Sequence, residues 1–397
     1  MSGFELVLKP GRERSVLRRH PWIFSGAIDT VAGSPGSGEI VSVRAADGRF
    51  LAWAAYSPSS QIRARVWSFD EDEAPGPELF RKRIERALAQ RRAAIAADVT
   101  DALRLVHGES DGLPGLIADR YADTLVIQIL SAGCERWRET LVEALAEQSG
   151  CANVYERSDA EVRELEGLSP RIGPVRGPAP AGPVRIVEHG IRYEVDVVAG
   201  QKTGFYLDQR ENRRRIGALA RDREALNCFC YTGGFTLAAL AGGARSVLSV
   251  DTSGPALATA RRNVALNGFE NTRAEWLEAD VFSALRKLRE TGRRFGLIVL
   301  DPPKFAPTPK DAERAARGYK DINLNALKLL VPGGLLATFS CSGGISPELF
   351  QKIVAGAAAD AGVSLLLRER LFAASDHPVL IEYPEGEYLK GLLLERR

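Results

Sequence analysis

Cysteine is scarce in this sequence: five residues in a chain of 397, an odd number with no C-x-x-C pair. That excludes a disulfide framework and a cysteine-built zinc site. Histidine is scarcer still, and His20, His107, His189 and His377 have no metal-ligand spacing, so no metal is expected. Aromatic residues make up 7% and the formal net charge is only +2; global charge therefore does not announce a nucleic-acid partner. No apolar run reaches the roughly 18 residues of a membrane span. The first residues, MSGFELVLKPGRER, lack the apolar stretch of a secretion signal. A cytoplasmic protein without a membrane partner is expected. Repeats and low-complexity tracts are missing as well.

What is present is an ordinary globular composition, 45% hydrophobic and 26% charged. Its length suits two or three domains. The charge is uneven: residues 1–69 carry nine Lys/Arg against five Asp/Glu, a net of +4. The basic residues cluster in KPGRERSVLRRH, Lys9 to His20. ELFRKRIERALAQRR, Glu78 to Arg92, adds six basic residues against two acidic ones. Such a distribution suits an RNA or DNA backbone, and equally a solvated basic surface.

Residues 1–70 read as short strands and turns, with Asp47-Gly48 as a hairpin signal between alternating apolar runs. Trp22 and Phe24 are expected in the core of this small β-barrel. The acidic break DEDEAPGP, Asp70 to Pro77, ends it. Residues 71–183 mix a helical period at Phe80, Ile84, Ala87, Leu88 and Ile95 with strand-like segments. SPRIGPVRGPAPAGP, Ser169 to Pro183, cannot be helix or central strand and is expected to be an irregular connection. From residue 184, a hairpin around His189-Gly190 precedes a strict alternation of strands and helices. That alternation predicts a doubly wound parallel sheet with helices on both faces, an α/β fold.

In such a sheet ligands sit beyond the carboxyl ends of the strands. The strand ends here carry Tyr231-Thr232-Gly233-Gly234, Asp251, Asp280, Asp301-Pro302-Pro303-Lys304-Phe305 and Ser340-Cys341-Ser342. An isolated Asp at a strand end is a helix cap; three beside a glycine turn form a constellation. Asp251 follows Thr232 by nineteen residues, placed like the acid that grips ribose hydroxyls in dinucleotide folds. Yet the glycine pattern is not G-x-G-x-x-G, and no phosphate cradle is evident. A nucleoside cofactor without a pyrophosphate, S-adenosylmethionine, suits the arrangement. In LDPPKF the two prolines stiffen the loop, so that Asp301 can hold the edge of a planar base; a simple strand terminator is the competing explanation.

At these motifs the chain resembles the large-subunit ribosomal RNA cytosine-C5 methyltransferases, a class I S-adenosylmethionine-dependent family. The resemblance is carried by GQKTGFYLDQRENR (Gly200 to Arg213), NCFCYTGGFTLAA (Asn227 to Ala239), VDTSGPALATARRNVALNG (Val250 to Gly268), EADVF (Glu278 to Phe282), LDPPKFA (Leu300 to Ala306) and TFSCSGG (Thr338 to Gly344). LKPGRERSVLRRHPWIFSGAI, Leu8 to Ile28, is similar to the start of that family's RNA-binding PUA domain. The resemblance implies a PUA β-barrel (1–70), a small α+β middle domain (71–183) and a Rossmann-like methyltransferase domain (184–397). It implies 23S ribosomal RNA as partner and leans towards a homodimer. Tyr206, Asp208, Gln209 and Arg210 would cover the methionine end of the cofactor, and Phe229, Tyr231 and Gly233 would form the turn beneath it. Asp251 would take the ribose hydroxyls and Asp280 the adenine amino group. Asp301 would face both methyl donor and base. Arg12, Arg14, Arg18, Arg19 and Lys304 would contact RNA.

Carbon 5 of cytosine is a poor nucleophile, and thiolate attack at C6 makes it electron-rich. That chemistry needs an activated cysteine within reach of the base. In the family, the cysteine of this T-x-S-C-S type segment is the nucleophile, which implies Cys341. Cys228 and Cys230 read as small buried hydrophobes, and Phe305 and Tyr319 as core rather than stacking residues. Two other readings stay open. A methyltransferase acting on an amino nitrogen would also use an acidic-Pro-Pro loop but would not need Cys341. A non-catalytic RNA-binding assembly factor would keep the fold without the cofactor.

Overall fold

A computed structural model describes residues 3–96, 99–269, 273–306 and 308–397. Met1 and Ser2, the head of the segment read for a secretion signal, lie outside them. The chain forms two compact units. One comprises Met1–Ile186, Val195–Leu207 and Ser375–Gly386; the other comprises Val187–Glu194, Asp208–Ala374 and Glu387–Arg397.

The first unit holds two sheets. Six strands, Glu5–Leu8, Trp22–Phe24, Ile28–Ala32, Ile40–Arg44, Phe50–Tyr56 and Ile62–Ser68, form one of them. The Asp47-Gly48 hairpin is there: Gly48 takes φ +87° and the Asp47 carboxylate accepts the Arg49 N–H at 3.1 Å. Inward alternation buries Leu6, Leu8, Val41, Val43 and Val66. Trp22 and Phe24 depart from expectation. Phe24 is 50% exposed, and Trp22, half-buried, donates its indole N–H to Glu109 at 2.8 Å with its ring 4.9 Å from that of Tyr383. The indole needs a polar partner that the aliphatic core cannot supply.

The second sheet has five strands, Ala102–His107, Leu116–Tyr121, Thr124–Ile129, Asn153–Ser158 and Arg171–Arg176. Helix Pro77–Ala94 shares its core through Phe80, Ile84 and Leu88, the apolar stripe visible in the sequence. Arg171–Arg176 corrects the expectation of an irregular connection: it pairs with Asn153–Ser158 at the sheet edge. An edge strand tolerates Pro174 because one side of its backbone has no neighbour to bond.

The second unit is a seven-stranded sheet. Its strands are β1 (Glu224–Cys228), β2 (Ser246–Asp251), β3 (Ala274–Glu278), β4 (Phe295–Leu300), β5 (Leu330–Ser340), β6 (Leu365–Phe372) and β7 (Lys390–Arg396). The spatial order is 3-2-1-4-5-7-6. Strands β1 to β5 run parallel, and β7 is antiparallel to both β5 and β6. The helices are α1 (Arg210–Leu219), α2 (Gly234–Ala241), α3 (Gly254–Leu266), α4 (Val281–Glu290), α5 (Ala312–Leu329) and α6 (Pro347–Ala361). Near-continuous apolar strands such as LIVL of β4 are buried on both faces, as a covered parallel sheet requires. Helices α1 and α2 approach so closely that a Cβ on Gly242 would sit 1.8 Å from the Gly217 carbonyl oxygen. The strand order switches between β1 and β4, the kind of position where parallel sheets bind ligands beyond their carboxyl ends.

Candidate active site

The turn after β1 is strained. Phe229, Tyr231 and Gly233 all take positive φ, +58°, +48° and +85°. For non-glycine residues this costs about 1–3 kcal/mol each and clusters at ligand sites. A Cβ at Gly233 would come within 3.0 Å of the Ala260 Cβ and 3.2 Å of Leu237. The Tyr231 N–H donates to Asp251 Oδ2 at 2.8 Å and the Ser253 N–H to Oδ1 at 2.9 Å. The carboxylate ending β2 thus shapes the turn at the carboxyl edge of the sheet, only partly buried. Asp280 is exposed, and its Oδ2 caps α4 by accepting the Ser283 N–H at 2.9 Å; the helix-cap explanation holds for that oxygen.

Asp301, straight after β4, is joined to the entry of α1. Gln209 donates to Asp301 Oδ1 at 3.0 Å, and Asn212 donates to Gln209 at 2.6 Å and to the Phe372 carbonyl at 3.0 Å. This chain fixes the Gln209 amide with its NH₂ towards the carboxylate. Burial, and next the Asp208 carboxylate, push the Asp301 carboxyl up to about 7, while Gln209 and Arg213 pull it down. Asp208 accepts the Tyr388 hydroxyl at 2.6 Å on Oδ2; its buried Oδ1 has no hydrogen-bond partner among the described residues. An orphaned carboxylate oxygen suits a cationic donor, such as the ammonium at the methionine end of S-adenosylmethionine. Arg210 is fully buried, with Nε 3.3 Å from Glu211. Tyr206 belongs to the first unit, where its hydroxyl donates to Gln201 at 2.7 Å.

Cys341 follows β5, the neighbour of β4, and its Sγ lies 4.0 Å from the Pro302 carbonyl oxygen. Cys134, Cys151, Cys228 and Cys230 are buried, whereas Cys341 is partly exposed. Burial pushes the thiols of Cys228 and Cys230 up, as expected of packing residues. Both serines flanking Cys341 bind the same tyrosine: Ser340 Oγ and Ser342 Oγ each lie 2.9 Å from the Tyr319 hydroxyl. Ser342 Oγ also accepts the N–H groups of Phe305 (3.1 Å) and Ala306 (3.0 Å). So the Asp-Pro-Pro loop and the cysteine turn are pinned to one buried hydroxyl cluster. Tyr319 is core, as expected, and Phe305 packs on it with ring centroids 4.8 Å apart.

Sequence reading missed Lys390. It opens β7 opposite Ser340, and its Nζ donates to the carbonyls of Ser342 (2.8 Å) and Ile345 (2.7 Å). Burial lowers its pKa and the neighbouring Cys341 opposes that. No motif marks it; the single signal is a lysine inside an otherwise apolar run, KGLLL. Lys304 is exposed on the loop. Arg12, Arg14, Arg18 and Arg19 are exposed on the first unit, with the Arg19 guanidinium 4.9 Å above the Phe69 ring. Among the described residues no cluster of His, Cys, Asp or Glu could hold a metal, and no helix is long and apolar enough to cross a membrane.

Comparison with known proteins agrees with this fold. Residues 176–394 match the model of an S-adenosylmethionine-dependent methyltransferase family, and residues 6–69 that of a PUA-like domain. The chain is 53% identical over 390 residues to a ribosomal RNA large subunit methyltransferase I from Shewanella denitrificans, covering 98% of each chain. It is 50% identical over 386 residues to one from Klebsiella pneumoniae, covering 97% of this chain and 96% of that protein. Among solved structures, a protein from Streptococcus mutans provisionally assigned as a SAM-dependent methyltransferase superposes with a TM-score of 0.85 at 20% identity, covering 98% of this chain and 99% of the other. A provisionally assigned methyltransferase in complex with SAH gives 0.86 at 21% identity, with the same coverage. At that identity the structures speak for the fold alone, whereas the full-length relatives decide the family. The acids and glycine turn at the strand ends and the end-to-end relatedness have one explanation: the chain belongs to the ribosomal RNA large subunit methyltransferase I family, S-adenosylmethionine-dependent enzymes that here carry a PUA-like N-terminal part.

Proposed function

We propose that the protein methylates C5 of a cytosine in 23S ribosomal RNA, in the cytoplasm, through a covalent adduct on Cys341. The observation that carries this reading is the partly exposed Cys341 thiol against the loop that Asp301 opens. An amino-nitrogen methyltransferase has no use for a thiol there. The Cys341 thiolate adds to C6, and the ring electrons displaced towards N3 meet Asp301. Burial holds the Asp301 carboxyl at about 7 before the cofactor binds, so Asp301 can hydrogen-bond to or share a proton with N3 as charge builds. Bound S-adenosylmethionine supplies an electrophilic methyl group to C5. The cofactor is left as its neutral thioether; transfer of the C5 proton to water, return of the N3 proton to Asp301 and departure of the thiolate restore the aromatic ring and the free cysteine.

The chain's own residues would hold the cofactor as follows. Asp208 accepts the ammonium beside Gln209 and Arg210, and Tyr206 is a further cofactor residue in this reading. Phe229, Tyr231 and Gly233 form the floor, Asp251 accepts the ribose hydroxyls, and Asp280 faces the adenine amino group with Oδ1. Arg12, Arg14, Arg18, Arg19 and Lys304 contact RNA phosphates. Residues 1–70 form the PUA-like domain, 71–183 the middle domain and 184–397 the methyltransferase. We keep the homodimer in this reading; sedimentation measures it. The test of the reaction is nucleoside mass analysis of large-subunit RNA incubated with protein and S-adenosylmethionine. 5-Methylcytidine is expected, and an N-methylated nucleoside in its place would overturn the assignment.

Lys390 tethers the cysteine turn and places a cation beside the thiol. Lys390→Met is expected to slow alkylation of Cys341 at neutral pH about ten-fold, since a nearby positive charge favours the reactive thiolate. Mass-resolved iodoacetamide labelling against time reads it; unchanged labelling would leave Lys390 a purely structural tie.

A further inference from the structure

A cavity of about 650 Å³ opens in the second unit at the sheet edge opposite Asp301 and Cys341. Five cations line it, Arg286, Arg289, Arg294, Lys328 and Arg396, against one carboxylate, Glu290. Arg294 immediately precedes β4, and Arg396 closes the antiparallel β7 at the same edge. Of the five, only Arg286 forms an ion pair among the described residues, with Asp321 at 2.6 Å. Arg289 donates to the neutral Asn325 at 2.5 Å, and Arg294 to the Arg293 carbonyl at 2.9 Å. Arg396 donates to the carbonyls of Leu327 and Leu330, while its buried Nε has no partner.

Helix dipoles account for part of this. Arg289 and Lys328 occupy the last turns of α4 and α5, where cations are favoured. They do not account for Arg294 and Arg396, which stand on strand ends. Uncompensated cations around a cavity larger than one phosphate call for a polyanion. We infer that this cavity binds the phosphate backbone of the RNA substrate, away from the methylated base. The inference rests on the RNA reading of the preceding section. The six residues of β4 span about 20 Å between Arg294 and Asp301, so only an RNA long enough to bridge that distance reaches both.

The experiment measures binding of large-subunit RNA fragments by anisotropy as a function of KCl, for wild type, Arg294→Glu/Lys328→Glu and the charge-keeping Arg294→Lys/Lys328→Arg. Each lost phosphate contact lowers the slope of log affinity against log salt by about 0.7–0.9. For a fragment of about 40 nucleotides, the Glu variant is expected to lose about 1.4–1.8 of slope and at least roughly ten-fold affinity. A fragment of about six nucleotides bearing the target cytosine should bind both proteins alike, and the charge-keeping variant should match wild type. Unchanged S-adenosylmethionine affinity certifies the fold of each variant. Equal slopes for wild type and the Glu variant on the long RNA would overturn the site. So would inorganic tripolyphosphate binding to the cavity without displacing that RNA. If the slope drops but wild type forms no 5-methylcytidine, the cavity stands and the proposed reaction falls.

Discussion

Cys341→Ala is expected to lower methyl transfer by about 10⁴-fold or more, because thiolate addition is what makes C5 nucleophilic in the proposed reaction. Cys341 is partly exposed, and its Sγ lies 4.0 Å from the Pro302 carbonyl oxygen. Losing one sulfur atom there should leave the fold and the S-adenosylmethionine affinity close to wild type. Single-turnover assay and calorimetric titration read the two quantities separately. A stronger test uses RNA with 5-fluorocytosine at the target. Fluorine at C5 cannot leave as a proton does, so the wild-type adduct should persist through denaturing electrophoresis, and Cys341→Ala should give none. If the Ala variant keeps most of its turnover, the thiol addition is wrong and an exocyclic amine becomes the target.

Asp301→Asn should cost about 10²–10⁴-fold in turnover, the usual worth of a group that stabilises developing charge or moves a proton. Cofactor binding should survive in part, since the Asn side-chain oxygen can still accept from Gln209. The pH dependence is more diagnostic. The wild-type carboxyl titrates at about 7. A sulfonium beside it favours the ionised form, so affinity for S-adenosylmethionine should rise with pH and level off above about 7, by up to ten-fold for each pKa unit the cofactor removes. In Asp301→Asn that rise should vanish. Stability follows the opposite sign. Because the folded pKa is raised from 3.8, the carboxyl favours the folded state fully only below the unfolded value. That contribution is lost as pH climbs through about 7, so the Asn variant should melt higher than wild type at pH 8. A variant with the wild-type pH profile for cofactor affinity would show that Asp301 does not face the sulfonium.

Much of the catalytic unit was readable before any coordinates. Strands buried on both faces are continuous apolar runs, and they alternate with amphipathic helices at fixed spacing, so β1 to β5 stand out locally. Their ends could be named because each run stops at a charge, a glycine or a proline. The first unit was less legible. Arg171–Arg176 hides as a strand because its prolines read as breakers and only a sheet edge tolerates them. Phe24 and Trp22 look like core by composition, yet the indole turns to Glu109, eighty-seven residues away.

By itself the amino-acid order determined the kind of site: a parallel sheet whose strand ends present acids, a glycine turn and one cysteine, because local pattern and backbone stiffness act over a few residues. Only the tertiary structure decided that Cys341 meets Pro302, that Ser342 and Tyr319 lock both loops, and that Lys390 on a returning strand bonds the Ser342 carbonyl. Those contacts join residues tens of positions apart, and sheet order and register set them. So too the Asp301 carboxyl owes its raised pKa to burial and to Asp208, a neighbour in space that ninety-three positions of chain separate from it.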